Sequence, residues 1–272
     1  MGKRTGRSIA AMFIFMGGLF LAAFSAANEL SLWVVEQGRA RLEFSIAPAK
    51  KGALIVDNSA VSIAIDGQES QILARDIEPF NGEIGVIVDD YNFDGLNDIA
   101  VLESYGYGGV NLFYAVYVFD LAQSAYRYWL TESNIEPDPA TRELHTGQKS
   151  GPRYITVIYR IHDGNPYAYR ESVGIGLDLE KVTLRNEYGD VIQTNIADVR
   201  LDGSAAAIRA IAAERAYFFD EPNETTKTSI YVIRGDKVEL LDSAGDWDDW
   251  CLIRYRGKRI FEKWIKTADL EE

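Results

Sequence analysis

Between residues 89 and 98 the chain reads Asp-Asp-Tyr-Asn-Phe-Asp-Gly-Leu-Asn-Asp. No other stretch narrows the possible folds as much. Oxygen-bearing side chains stand at Asp90, Asn92 and Asp94, Gly95 follows, and Asp98 closes the run. Carboxylates two residues apart in a tight turn can converge on one point, and Ca2+ takes about six to eight oxygen ligands. Gly95 allows the sharp turn because it has no Cβ to clash at positive φ. Left alone, the carboxylates would repel one another, so a divalent ion is their natural counter-charge. The expectation is one Ca2+ bound by Asp90, Asn92, Asp94, Asp98 and the backbone carbonyl of Leu96. The same residues can also form an acidic Asx turn without metal.

The flanks decide what kind of loop this is. Ile84-Gly85-Val86-Ile87-Val88 precedes it and Ile99-Ala100-Val101-Leu102 follows. Short β-branched runs bounded by turn residues read as buried strands rather than helices. A helix–loop–helix calcium site also wants a bidentate Glu at its twelfth position, which here is Val101. The loop therefore joins two strands. On these residues it resembles the calcium hairpins of FG-GAP and VCBS repeat proteins, which implies an acidic loop capping a β-hairpin.

The amino terminus predicts export. Lys3, Arg4 and Arg7 precede an apolar run from Ile9 to Phe24, which ends in Ser25-Ala26-Ala27. This fits a signal peptide over 1–27 with cleavage near Ala27. The run is shorter than the ~20 residues of a spanning helix. An uncleaved anchor is the alternative. No cysteine follows the run directly, so a lipid anchor is not expected. The cleaved protein would be periplasmic or secreted and not embedded in a membrane.

The chain has 28 basic and 41 acidic residues and a formal charge of −13. Cleavage removes three basic residues and no acidic ones, leaving 25 against 41, or −16. Such a surface argues against nucleic acid, whose phosphates need Lys and Arg. It suits a basic partner, whose approach opposite charge accelerates. Cys251 is the single cysteine, so no intrachain disulfide forms.

The rest of the chain reads as all-β. Leu32–Val35, Leu42–Ile46 and Val61–Ile65 look like strands, and Asp66-Gly67 is a hairpin signal. Leu112–Phe119 is apolar on both faces and so belongs at the centre of a sheet. The expected organisation is an antiparallel calcium-binding β domain over 28–203, propeller- or sandwich-like. A linker with up to one helical turn covers 204–213, and a small domain covers 214–272.

That last segment resembles a bacterial SH3 domain. Ala216–Phe219, the turn Arg234-Gly235-Asp236-Lys237-Val238, Cys251–Tyr255 and the closing Lys263-Trp264-Ile265 carry the resemblance. It implies a small barrel with Trp264 in its core. Lys263 stands where the family usually has glycine, and Asp246–Trp250 is longer and more acidic than its counterpart.

Between Ile84 and Val173 a second resemblance appears. The calcium loop is followed by Ser104-Tyr105-Gly106-Tyr107-Gly108-Gly109-Val110-Asn111, by a Tyr-rich strand ending at Asp120, and by a turn at Asp163-Gly164. The order is similar to periplasmic calcium-binding immunity proteins that inhibit lysozyme-like toxins. The resemblance implies a protein partner that degrades cell walls. Tyr105, Tyr107, Gly108 and Asn111 are then the candidate contact residues, since tyrosine brings large contact area at low entropy cost. The tyrosines can equally pack beneath the sheet. The rival reading is a peptidoglycan-binding envelope module acting through the SH3-like segment.

Little points to catalysis. His145 and His162 are the only histidines, and nothing around them looks like an activated nucleophile. Both read as surface residues, and Cys251 as a core thiol. Zinc lacks N and S ligands. The expectation is no enzyme.

Overall fold

The computed structural model describes residues 30–35, 38–176, 178–200, 205–244 and 249–271. The expected signal peptide, Gln37 and most of the acidic stretch before Trp250 lie outside the described residues. Among the described residues no helix is long and apolar enough to cross a membrane.

The protein is all-β and sandwich-like, built of antiparallel sheets. Its first strands are β1 (Leu30–Val35), β2 (Arg39–Ala47), β3 (Lys50–Asp57), β4 (Ala60–Ile65), β5 (Gln71–Ala74), β6 (Glu83–Asp89) and β7 (Asp98–Gly106). Then come β8 (Asn111–Asp120), β9 (Ala125–Ser133), β10 (Glu136–Asp138), β11 (Glu143–Ser150), β12 (Arg153–His162) and β13 (Asn165–Gly176). The chain continues as β14 (Leu179–Arg185), β15 (Val191–Asp198), β16 (Ile208–Ala210), β17 (Arg215–Phe219) and β18 (Lys227–Ile233). It ends with β19 (Lys237–Ala244), β20 (Trp250–Arg256) and β21 (Ile260–Lys266). It divides into two compact units, the described parts of which are 30–150 with 156–168, and 151–155 with 169–271.

In the first unit a five-stranded sheet runs β1-β6-β7-β8-β9 and a four-stranded sheet runs β2-β3-β4-β5. Leu54, Val56, Val61 and Ile63 of the smaller sheet share a core with Ile84, Val86, Val88, Ile99 and Val101 of the larger. Successive side chains on a strand point to opposite faces. The intervening residues Ala100, Leu102, Val116 and Val118 therefore fill a second core, with Tyr91, Phe93, Trp129 and Leu144. Burial on both faces is why β6 to β8 read as unbroken apolar runs. At the expected hairpin, Asp66 and Gly67 both take positive φ, 49° and 77°.

In the second unit the main sheet runs β16-β19-β20-β21-β17-β18. Two expectations change here. The stretch expected to be a linker with a helical turn carries instead a short edge strand, β16 over Ile208–Ala210. Ile208 pairs with Glu239, Ile211 bridges to Leu270, and Ala207 and Ile211 are buried. Burying those two side chains beside β19 outweighs the weak helical preference of the alanines. The second change is Trp264, which is half-buried, while its neighbour Ile265 is fully buried in the core. Phe261 packs on the same core, and strand alternation puts Trp264 on the other face.

This core is not confined to the carboxy-terminal segment. Leu179, Ile196, Ala207 and Ile211 share it with Ala216, Phe218, Val232, Leu240 and Ile253. Burying a large aliphatic side chain contributes about 1.5–3 kcal/mol. Losing the first four together would remove a share comparable with the whole stability of a domain, about 5–15 kcal/mol. A fragment starting at Glu214 is therefore expected not to fold alone. Its proton NMR spectrum should show collapsed amide dispersion, and a dispersed spectrum would contradict this packing.

Candidate metal-binding loop

The loop between β6 and β7 is held from inside by Asp98. This carboxylate is fully buried. Its Oδ2 accepts the N–H groups of Tyr91 (3.1 Å) and Asn92 (3.3 Å), and its Oδ1 accepts that of Phe119 on β8 (3.0 Å). The other aspartates cap the turn. Asp90 accepts the N–H groups of Asp94 (3.1 Å) and Gly95 (2.9 Å), and Asp94 Oδ1 accepts that of Leu96 (2.8 Å). Asn92 donates its side-chain amide to Asp94 Oδ2 at 2.9 Å. Gly95 sits at φ 87° with open space where a Cβ would stand. Phe93 also takes positive φ, 59°, and buries its ring in the second core.

Charge is crowded here. Burial pushes the Asp98 carboxyl well above the usual carboxylate range, and Asp94 and Asp90 push it the same way. Asp90 is raised by burial and by the charge of Asp94. Asp89, expected to face solvent, is half-buried; its carboxylate accepts the Asp90 N–H at 2.8 Å, and burial raises its pKa. The donors are all oxygens, the chemistry of a hard cation. Among the described residues no three His, Cys, Asp or Glu side chains are gathered at metal-ligand spacing. The fit of a cation rests on the donor chemistry and the mutual repulsion of these carboxylates.

Residues distant in sequence brace the loop. Arg142 donates to the Phe93 carbonyl at 2.8 Å and lies over the Phe93 ring. Tyr126 donates its hydroxyl to the Asn97 carbonyl at 2.8 Å, and Asn97 bonds to the backbone of Ser45 and Ile46 on β2. Burial and then the Asp98 charge push the Tyr126 phenol up, so it stays a donor. No local pattern marks these residues, because each contact crosses a sheet or a long loop.

These carboxylates are expected to give the protein without bound ion an unusual pH response. Asp98 binds its proton more tightly folded than unfolded, so its ionised form opposes folding at neutral pH. That opposition is relieved as the pH falls through the raised pKa. Asp89 and Asp90 act in the same sense. Asp198 has the opposite sign: Arg200 holds it down at about 2, so its contribution is present above its unfolded pKa near 3.8 and lost below. The melting temperature of metal-free protein is expected to rise as pH drops below neutral and to fall again below about 4. A monotonic fall from neutral in a series of thermal melts would contradict this.

The glycine–tyrosine loop follows β7 directly. Tyr107 is 53% exposed and sits at φ 49°, followed by Gly108 at 65° and Gly109 at 93°. Tyr105 is 37% exposed and meets Phe80 edge-on, with centroids 5.2 Å apart. A Cβ on Gly109 would stand 2.6 Å from the Phe80 ring, so only glycine fits. Asn111 is placed differently from its expected contact role. It is buried, donating to the Lys149 carbonyl (3.0 Å) and accepting the Lys149 N–H (2.8 Å). It pins the base of the loop to β11, and the exposed residues are Tyr105, Tyr107 and Gly108.

The remaining candidates take structural places. Cys251 is fully buried, and burial pushes its thiol up. His145 lies beside Glu143 and His162 beside Asp163, both half exposed at the surface.

No protein-family model and no curated protein matches the chain. A solved structure of a Xanthomonas protein described as related to the type IV secretion system aligns with 57% of this chain and 92% of its own. The identity is 16% and the TM-score 0.41, a likeness too loose to carry an argument about function.

Proposed function

We propose that this is an exported calcium-binding protein that blocks a cell-wall-degrading, lysozyme-like enzyme. Asp90, Asn92, Asp94, the Leu96 carbonyl and Asp98 would hold the ion, which would supply the positive charge these oxygens lack. The observation that carries the partner reading is Tyr107: a large exposed side chain on a backbone that L residues adopt at a cost of about 1–2 kcal/mol. The Asn111–Lys149 pair, the Phe80 contact with Gly109 and the Tyr105–Phe80 contact hold that loop. Pre-ordering lowers the entropic cost of binding. The acidic surface complements a basic enzyme that acts on anionic walls. The test is loss of peptidoglycan turbidity caused by secreted muramidases, titrated with the protein.

A second reading has its own observation. On β17 and β18, Tyr217 and Tyr231 pair across the strands with ring centroids 5.6 Å apart. Lys227 lies 3.9 Å over the Tyr217 ring and Arg215 4.9 Å over the Tyr231 ring. An aromatic–cationic face of this kind suits an envelope-binding module. Sedimentation with purified peptidoglycan, without inhibition of any hydrolase, would favour it.

A further inference from the structure

Asn81-Gly82 is the one Asn-Gly pair in the sequence. It makes the tight turn that leads into β6. Phe80 and Glu83 exchange both backbone hydrogen bonds across it, at 2.9 and 3.0 Å. Asn81 takes φ 53° and Gly82 φ 77°. Two central residues at positive φ inside a bonded pair are the turn for which Asn-Gly is a preferred sequence.

The same pair is chemically labile. The side-chain amide of an asparagine can be attacked by the backbone nitrogen of the next residue, and a glycine there hinders the attack least. Both residues are exposed, and nothing lies within 4 Å of where a Cβ on Gly82 would stand. Among the described residues neither the Asn81 side chain nor the Gly82 N–H has a hydrogen-bond partner. The nucleophile is therefore free. What holds it from the attacking geometry is the pair of Phe80–Glu83 bonds.

This turn supports the glycine–tyrosine loop. The Phe80 backbone N–H and carbonyl are both held by Glu83. Its ring packs on the second core and meets Tyr105 edge-on at 5.2 Å. The same ring fills the space where a Cβ on Gly109 would stand. Phe80 is thus the seat of the loop that carries Tyr107, and Asn81-Gly82 sets where Phe80 lies.

We propose that Asn81-Gly82 is a site of spontaneous deamidation whose product unseats the glycine–tyrosine loop. The Gly82 nitrogen loses its proton and bonds to Asn81 Cγ. The Cγ–Nδ2 bond breaks, and that nitrogen leaves as ammonia. Water then opens the five-membered imide at either carbonyl, giving aspartate or isoaspartate. Isoaspartate adds one methylene to the main chain. A two-residue turn fixes register by its length. The longer chain breaks the Phe80–Glu83 pair and withdraws the ring from Gly109 and Tyr105. A loss of inhibition on ageing rests on this loop being the contact with the enzyme; the conversion and the loosening of the loop do not.

The test ages the full chain in mildly alkaline buffer, which favours the deprotonated amide nitrogen. Peptide mapping by mass spectrometry follows the conversion of each asparagine, and enzymatic methylation counts isoaspartate. Two-dimensional NMR follows the signals of Tyr105 and Tyr107. Residue 81 is expected to convert before any other asparagine, with isoaspartate formed there. The signals of both tyrosines should shift as it forms, and inhibition should fall with the converted fraction. Asn81→Gly keeps a residue that accepts positive φ and has no amide to lose. Its tyrosine signals should stay in place over the same incubation. An intact Asn81 would overturn the proposal, as would isoaspartate at 81 with unmoved tyrosine signals, or the same drift in Asn81→Gly. If residue 81 converts and the loop signals shift, but fresh protein inhibits no wall hydrolase, the inhibitor reading fails while this proposal stands.

Discussion

Replacing Tyr107 by alanine is expected to weaken the proposed inhibition of a lysozyme-like enzyme by tens of fold while leaving the fold intact. Truncating a tyrosine anchor at a binding surface typically costs ~2 kcal/mol or more, and about 1.4 kcal/mol is a factor of ten. Tyr107 belongs to none of the three apolar cores, so the melting temperature should barely move. Tyr188, 78% exposed in the second unit, is the matched control, and its alanine variant should inhibit like the wild type. Equal inhibition by Tyr107→Ala and wild type would remove this loop from the interface.

Chelation is expected to lower the melting temperature markedly. Binding to the folded state alone stabilises by RT ln(1 + [L]/Kd), about 3 kcal/mol at a hundredfold excess of ion over Kd. For a protein of this size each kcal/mol corresponds to roughly 2–4 °C. Calorimetry should therefore show a fall of roughly 6–12 °C on metal removal. The Asp94→Ala protein should already melt near the lower temperature and ignore chelator. If chelation leaves the wild-type melt unchanged, the carboxylates are only turn caps. If chelator lowers both melts equally, the ion binds elsewhere.

Local pattern made much of this protein legible. The acidic loop lies between strands as its flanks imply, because β-branched runs specify strands and Gly95 specifies the turn. Leu112 to Phe119 is central, as a run apolar on both faces must be. Pairing across distance was not legible. β1 pairs with β6 and not with the nearby β2, and no turn signal encodes that choice. The alanines at 205–207 read as a linker because small side chains carry little pattern, yet Ala207 is almost fully buried. At the site, the ligand candidates stand in one short stretch and could be read together. Arg142 and Tyr126 could not, since only folding brings them to the loop. Asn111 looked like a contact residue by its place beside the glycines, but its amide matches the Lys149 backbone and is used there.

Calcium titration of metal-free protein by isothermal calorimetry tests the account most directly, with the wild type and Asp94→Ala compared at neutral pH. One binding event per chain in the wild type, absent in the folded Asp94→Ala protein, is the predicted result. No heat of binding in the wild type, or the same isotherm in both, would contradict it.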